Sequence, residues 1–377
     1  MSKTSRSLAT MAGTLALVPT VLLADGPKFS GFVTGSYIYD LNDISKGPYS
    51  GYVNGAGSAP ASTYTDFYGG KNASFKADAA HLTITGGDSA GASYTIDLDA
   101  GTDGIATGGS LWTSRNGFAF DVQQAFVTVP FGKSAFGLEV GKFYTSEGIE
   151  VGNSAANPTV TRGLAFGVLE FTSSTGAVLT FKANDQISGA IGAINNPNNQ
   201  VWQYDGTDGI PVGYAKVALA YGDPFSGTIS AYYGPQGGTS PSARKEYTSL
   251  DLTGLTKTIP NLDLNYQVNF NMAMDAGADA SGNTKNIMAY LFGLQPLYHM
   301  GAGQVGLRYE FLSVDPGTGA TTINSIALAP GYKLTQNTLL RAEYRLDYAS
   351  KPTWYMNKNG NGTEVDQVVG GELNYTF

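Results

Sequence analysis

The last third of the chain alternates apolar and polar residues with a period of two, segment after segment, and no other feature constrains its fold as strongly. From Leu262 to Asn271, Leu262, Leu264, Tyr266, Val268 and Phe270 alternate with Asp263, Asn265, Gln267, Asn269 and Asn271. Val305, Leu307, Tyr309 and Phe311 alternate with Gln304, Gly306, Arg308 and Glu310. Leu340, Ala342, Tyr344, Leu346 and Tyr348 alternate with Arg341, Glu343, Arg345 and Asp347. The final segment sets Val365, Val369, Leu373, Tyr375 and Phe377 against Asp366, Glu372, Asn374 and Thr376. Successive side chains of a strand point to opposite faces, so each segment is a strand with one apolar and one polar, often charged, face.

Two architectures use such strands: a soluble sandwich and a membrane barrel. Composition separates them. Charged residues make up 14% of the 377, against about 25% in an ordinary soluble domain. No segment after the amino terminus approaches the ~18 consecutive apolar residues of a spanning helix. Aromatics gather near the ends of the apolar faces: Tyr37, Tyr39, Phe143, Tyr144, Tyr221, Tyr232, Tyr233, Tyr348, Tyr375 and Phe377. That placement suits the interfacial girdles of a membrane barrel, although aromatics are also simply good strand formers.

The connections alternate in length. Tight turns fall near Gly86-Gly87-Asp88, Phe131-Gly132-Lys133, Asn184-Asp185, Gly222-Asp223-Pro224, Pro260-Asn261, Met300-Gly301-Ala302 and Gln336-Asn337. Longer polar segments lie between them, among them Leu41–Gly70, Gly101–Asn116, Ser146–Thr175, Asp275–Thr284 and Ser350–Thr363. Seven turns and eight loops give about sixteen strands, an even number that puts both ends on the short-turn side. Gly163 to Phe171 is itself strand-like; counting it would break the parity, so it is placed within the third long loop. The expected fold is all-β, a transmembrane antiparallel up-and-down β-barrel over residues 25–377.

Residues 1–24 read differently. Lys3 and Arg6 precede an uncharged, Leu- and Val-rich stretch ending at Leu23, and Ala24 follows. This is the pattern of a signal peptide cleaved after Ala24. The plainer alternative, a membrane anchor, is marginal because the run is short and holds Thr14, Pro19 and Thr20.

Several chemistries find no support. The chain has no Cys and two His, which removes thiolate sites and leaves little for a His-rich metal centre. A net charge of −8, or about −10 without the leader, disfavours nucleic acid. A Ser–His pair would need His81, in a strand between Ala80 and Leu82, or His299, at an expected short turn, and both read as structural. Asp97, Asp99 and Asp103 beside Gly101 and Gly104 fail the EF-hand spacing and read as turn chemistry. No catalytic residue, metal or cofactor is expected.

Two stretches carry a family likeness. Gln123 to Asn196 includes VGKFYTSEGIE (Val140–Glu150), TRGLAFG (Thr161–Gly167) and a hairpin turning at ANDQ (Ala183–Gln186); FSGFVTGSYIYD (Phe29–Asp40) forms a first strand. Together they resemble the outer-membrane family called putative β-barrel porin-2 (OmpL-like). The ending VVGGELNYTF, with Leu373, Tyr375 and Phe377 on one face, is similar to the terminal strand signal of outer-membrane proteins. The resemblance implies a bacterial outer-membrane location, contact with outer-membrane lipid, insertion by the barrel-assembly machinery, and a homotrimer by kinship with trimeric porins.

A sixteen-stranded barrel leaves an aqueous lumen, and charges facing lipid near the midplane cost about 2–4 kcal/mol each. Arg308, Glu310, Arg341, Glu343, Arg345 and Asp347 are therefore expected to face inward. They either meet solute or merely bridge one another and stiffen the wall. The third loop, 146–175, with Glu147, Glu150, Arg162 and Glu170, is the constriction candidate by analogy with porins; a plain surface loop is the alternative. Three acids against one Arg suggest mild cation preference. The expected function is passive diffusion of small hydrophilic solutes or ions. An interaction barrel that binds partners through its long loops is the alternative.

Overall fold

The computed structural model describes residues 26–377 apart from 43, 47–72, 102–111, 114–118, 153, 171–172, 196–210, 223–224, 237–244, 280, 353 and 358. The expected leader, 1–24, lies outside the described residues. Sixteen antiparallel strands close the barrel, and a two-residue strand, Trp112–Thr113, joins the same sheet beside Phe120 and Ala119. The sixteen begin with β1 (Lys28–Asp40), β2 (Ala73–Gly87), β3 (Ser93–Gly101), β4 (Ala119–Pro130), β5 (Phe136–Tyr144), β6 (Ser173–Lys182), β7 (Ile187–Ile194) and β8 (Val212–Ala220). The second half is β9 (Ser226–Gln236), β10 (Lys245–Thr256), β11 (Leu262–Ala278), β12 (Thr284–Met300), β13 (Gly303–Asp315), β14 (Thr321–Lys333), β15 (Thr338–Ala349) and β16 (Val365–Thr376). β16 pairs back onto β1 from Phe32↔Thr376 to Asp40↔Val368. The ring is closed, so no edge of unpaired backbone faces lipid.

Local chemistry sets the short turns. Asp88 Oδ1 accepts the amides of Ala90 and Ala92 at 2.9 and 3.0 Å, and Asn184 Oδ1 those of Gln186 and Ile187 at 2.8 Å each. Side-chain acceptors of this kind stand in for a backbone turn. Gly301 (φ 65°) allows the left-handed step of the β12–β13 turn. At the other end, the expected loop Asp275–Thr284 is largely strand, because the pairing runs on to Ala278↔Thr284. Asp279 Oδ1 binds the amides of Ser281 and Asn283 at 2.9 Å each and tightens the connection into a hairpin.

The alternation divides the wall into two faces. Val268, Phe292, Ile326 and Leu340 lie on the outer face, each close to half exposed. Arg308, Arg341 and Arg345 lie on the inner face and are at most 2% exposed. Three of the aromatics expected outside are inside: Phe143 and Tyr232 are buried and Tyr144 reaches the third loop at Gly152, whereas Tyr233 is exposed. Neighbouring residues in the middle of a strand cannot share a face, so only one of Tyr232 and Tyr233 could meet lipid.

Between β5 and β6 the chain passes through a 3₁₀ turn, Ser154–Ala156, and a π-helical turn, Ala165–Leu169. The strand-like run from Gly163 thus coils. Its Leu164, Ala165, Val168 and Leu169 recur at helical spacing and bury against inward apolar side chains including Ile287, Leu291, Leu312 and Ile323. Each buried leucine contributes roughly 1.5–3 kcal/mol. Over the same cluster lies a small sheet of Ile44–Lys46, Tyr355–Asn357 and Gly362–Thr363, which joins the first and eighth long connections. It buries Ile44, Trp354 and Tyr355.

Candidate functional site: the third loop and the inner wall

The inner wall of β10 to β15 and the third loop satisfy one another's hydrogen bonds. Wall carboxylates receive loop amides. Glu310 takes Leu164 N at 2.6 Å and Ala165 N at 3.1 Å. Glu343 takes Val160 N and Thr161 Oγ1, and Thr161 N at 3.0 Å. Asp251 takes Gly148 N at 2.9 Å. Wall cations in turn donate to loop oxygens. Arg308 reaches Thr159 Oγ1 at 2.7 Å and Glu150 Oε1 at 2.9 Å, and also the Thr161 carbonyl. Arg341 donates to the carbonyls of Asn157 (2.6 Å) and Ser154 (2.7 Å), and Arg345 to that of Arg162 (2.6 Å). A buried backbone group left unpaired costs about 1–3 kcal/mol, so this reciprocity fixes where the loop lies.

The predicted loop residues are all buried. Glu147 accepts Ser249 Oγ. Glu150 joins Arg308, Gln295 Nε2 (3.2 Å) and Gly163 N (2.6 Å). Glu170 accepts Gln267 Nε2 at 2.7 Å. Arg162 donates to the Gly152 carbonyl at 2.7 Å and lies 5.5 Å over the Phe166 ring. The ladder residues also pair among themselves: Arg308 with Glu310 (3.5 Å) and Arg345 with Asp347 (2.6 Å). Arg341 finds Glu372 of β16 at 2.6 Å, a partner that the sequence reading placed on the inner face without assigning it. Asp347 further accepts Tyr355 Oη at 3.1 Å, which ties the mouth sheet to the ladder. Leu373, Tyr375 and Phe377 stand apart from this site, on the outer face beside β1.

Burial, reinforced by the Asp251 carboxylate, lifts Glu170 well above the usual carboxylate range, while the Gln267 amide opposes the shift. Glu150 and Glu147 add to the negative surroundings. A carboxyl raised on folding favours the seated loop while it is protonated, and that contribution is lost as pH rises through its folded value. Single-channel current is therefore expected to grow as pH is taken from mildly acidic to alkaline, and Glu170→Gln to flatten the dependence. An unchanged pH profile in that variant would assign the effect elsewhere.

The sequence reading missed a second group. Asp97 and Asp99, expected as turn chemistry, lie in β3 on its inner face. With Asp78 of β2 and Asp121 of β4 they form an acidic strip. Lys142 meets Asp121 at 3.3 Å, and His81, stacked on Phe32, lies 3.7 Å from Asp97. Tyr144 is within electrostatic reach of Asp97, Asp99, Asp121 and the loop's Arg162. Asp103 lies outside the described residues. Among the described residues no group of three or more His, Asp or Glu could hold a metal ion.

Known folds match this arrangement. The outer membrane channel DcaP of Acinetobacter baumannii superposes with a TM-score of 0.60 at 13% identity, over 93% of this chain and 97% of that one. The anion-selective porin of Comamonas acidovorans gives 0.59 at 12%, over 93% and 99%. OmpT of Vibrio cholerae, in its trimer form, gives 0.57 at 11%, over 93% and 99%. No curated protein sequence matches the chain. The family model described as Putative beta-barrel porin-2, OmpL-like, matches residues 26–377, the whole barrel. The chain belongs to that family of outer-membrane porins.

Proposed function

We propose that this porin is a passive, water-filled channel for small hydrophilic solutes and ions, with a mild preference for cations. The observation that carries the preference is the asymmetry of charge across the inner face. Arg308, Arg341 and Arg345 each sit against a carboxylate at 2.6–2.9 Å. Asp78, Asp97, Asp99 and Asp121 crowd β2 to β4, where Lys142 is held by Asp121. On this reading solutes pass along β2 to β4, past Arg162 and the acids, and the third loop narrows the lumen from the other side. Rings or strips of one sign at a constriction set ion preference.

The test is single-channel recording from the refolded chain in a planar bilayer under about a tenfold KCl gradient. Stable ohmic steps with a cation-favouring reversal potential are expected. An anion-favouring potential would remove the preference and keep the channel. Silence from a barrel shown by circular dichroism to be folded would remove the channel and favour a partner-binding role for the long loops. The same reading has a leader ending at Ala24 deliver the chain to the periplasm, and Leu373, Tyr375 and Phe377 present it to the assembly machinery. OmpT is described as a trimer; three copies are the proposed assembly here, checked by sedimentation in detergent.

A further inference from the structure

We infer that Arg308, Arg341 and Arg345 are a latch that positions the third loop, and that they do not select the permeating charge; the inference rests on the channel reading above. A guanidinium that selects ions must have donors left over for them. These three heads are at most 2% exposed, and they bridge loop oxygens to wall carboxylates. Arg341 is the clearest case. Its Nη1 donates to the Asn157 carbonyl, and its Nη2 donates to both the Ser154 carbonyl and Glu372. The planar fork spans these acceptors in one fixed geometry, which a flexible ammonium cannot reproduce. With a carboxylate on each guanidinium, little field remains at the distance of a passing ion.

A second observation, independent of charge, shows that the wall is shaped to receive the loop. Gly306 stands in the same inward row of β13 as Arg308. A Cβ built there would lie 1.9 Å from the Pro158 carbonyl oxygen. Glycine inside a strand marks close approach of another backbone, and here that backbone is the loop. Adding a methyl at Gly306 therefore lifts the loop without altering any charge.

The experiment uses Ser154→Cys as a reporter in a chain that has no native Cys. Ser154 Oγ is buried with no hydrogen-bond partner among the described residues, so replacing it by a thiol breaks no hydrogen bond of theirs. Three changes are made in this background: Arg341→Ala, Arg341→Lys and Gly306→Ala. Heat-modifiable electrophoretic mobility confirms a folded barrel for each. All three are expected to raise the rate of labelling by a membrane-impermeant maleimide about fivefold or more, and unit conductance about twofold. The reversal potential should stay at the parent value in all three.

A selectivity role predicts the reverse. The lysine variant would then match the parent, the alanine variant would shift the reversal potential towards cations, and Gly306→Ala would leave it unmoved. That pattern overturns the latch, and so does parental labelling in all three. If one arginine variant fails to fold, the other and Gly306→Ala still decide. A parent that folds but passes no current would sink the channel reading, while the labelling rates would still judge the latch.

Discussion

Replacing Glu343 with alanine is expected to cost the seated loop roughly 3–5 kcal/mol, the range for breaking a buried, hydrogen-bonded charge network by removing one partner. Glu343 is 5% exposed and holds the loop at its tightest point, accepting Val160 N, Thr161 N and Thr161 Oγ1. Without it two amides are left in a site that water reaches poorly, and Arg308, within reach of the same carboxylate, loses a counter-charge. The loss should appear as a lower and broader thermal transition of the detergent-solubilised barrel and as larger, noisier single-channel currents. Glu343→Gln keeps one acceptor oxygen and should lose about half as much. If Glu343→Ala melts and conducts like the parent, the loop is held by its apolar contacts and the hydrogen bonds are incidental. The result bears on the apolar cluster too. Leu164 and Leu169 are buried completely against the wall, so a surviving seat would transfer the credit to them.

The barrel was legible because its second half obeys the simplest rule available. Leu262 to Asn271, Gln304 to Phe311 and Leu340 to Tyr348 each keep strict alternation, and each lies in an unbroken strand with charges inward. The first half is less regular for a physical reason. The β1–β2 register shifts between Thr34 and Gly35, and the β3–β4 register between Asp97 and Leu98. A bulge moves every later side chain to the other face, so period counting across it mixes the inner and outer sets. Asp78 of β2 and Gln123 of β4 are the extra residues of these bulges; Asp97 and Asp99 alternate unbroken in β3 and read as turn residues because Gly101 and Gly104 follow them. The loop's partners were illegible for another reason. Glu372 and Arg341 lie on neighbouring strands and could be paired once strand order was known, but Pro158 over Gly306 joins residues of no shared pattern. A glycine among Gln304, Arg308 and Glu310 was the one available hint.

The mouth sheet adds a coupling that neither half of the sequence displays. Tyr355 Oη donates to Asp347, Asp347 pairs with Arg345, and Arg345 holds the Arg162 carbonyl. The first and eighth connections thus rest on the same ion pair that steadies the third loop. The three segments share one anchor, so a change in one is felt by the others through side chains already in contact.

Substituting Asp97 and Asp99 together by asparagine is expected to abolish cation preference. A carboxylate ~4 Å from a passing cation contributes about 1 kcal/mol in bulk water and about 4 kcal/mol at an effective dielectric of 20. A narrow lumen lies between these limits, so two such groups are worth roughly tenfold or more in relative permeability. With them neutralised, Lys142 and Arg162 balance the remaining Asp78 and Asp121 more nearly, and the reversal potential should fall to zero or cross to the anion side. Asparagine preserves size and one acceptor, so the wall should stay folded. Glu147→Gln supplies the contrast. Its carboxylate is engaged by Ser249 Oγ of β10, away from the strip, and its removal should leave the reversal potential unmoved although it takes away half as much formal charge. The difference between the two variants should shrink in about 1 M salt, where the screening length is only ~3 Å. A double asparagine variant that keeps the parental reversal potential would exclude the strip as the selecting surface. A Glu147→Gln variant that loses it would return selection to the acids of the third loop.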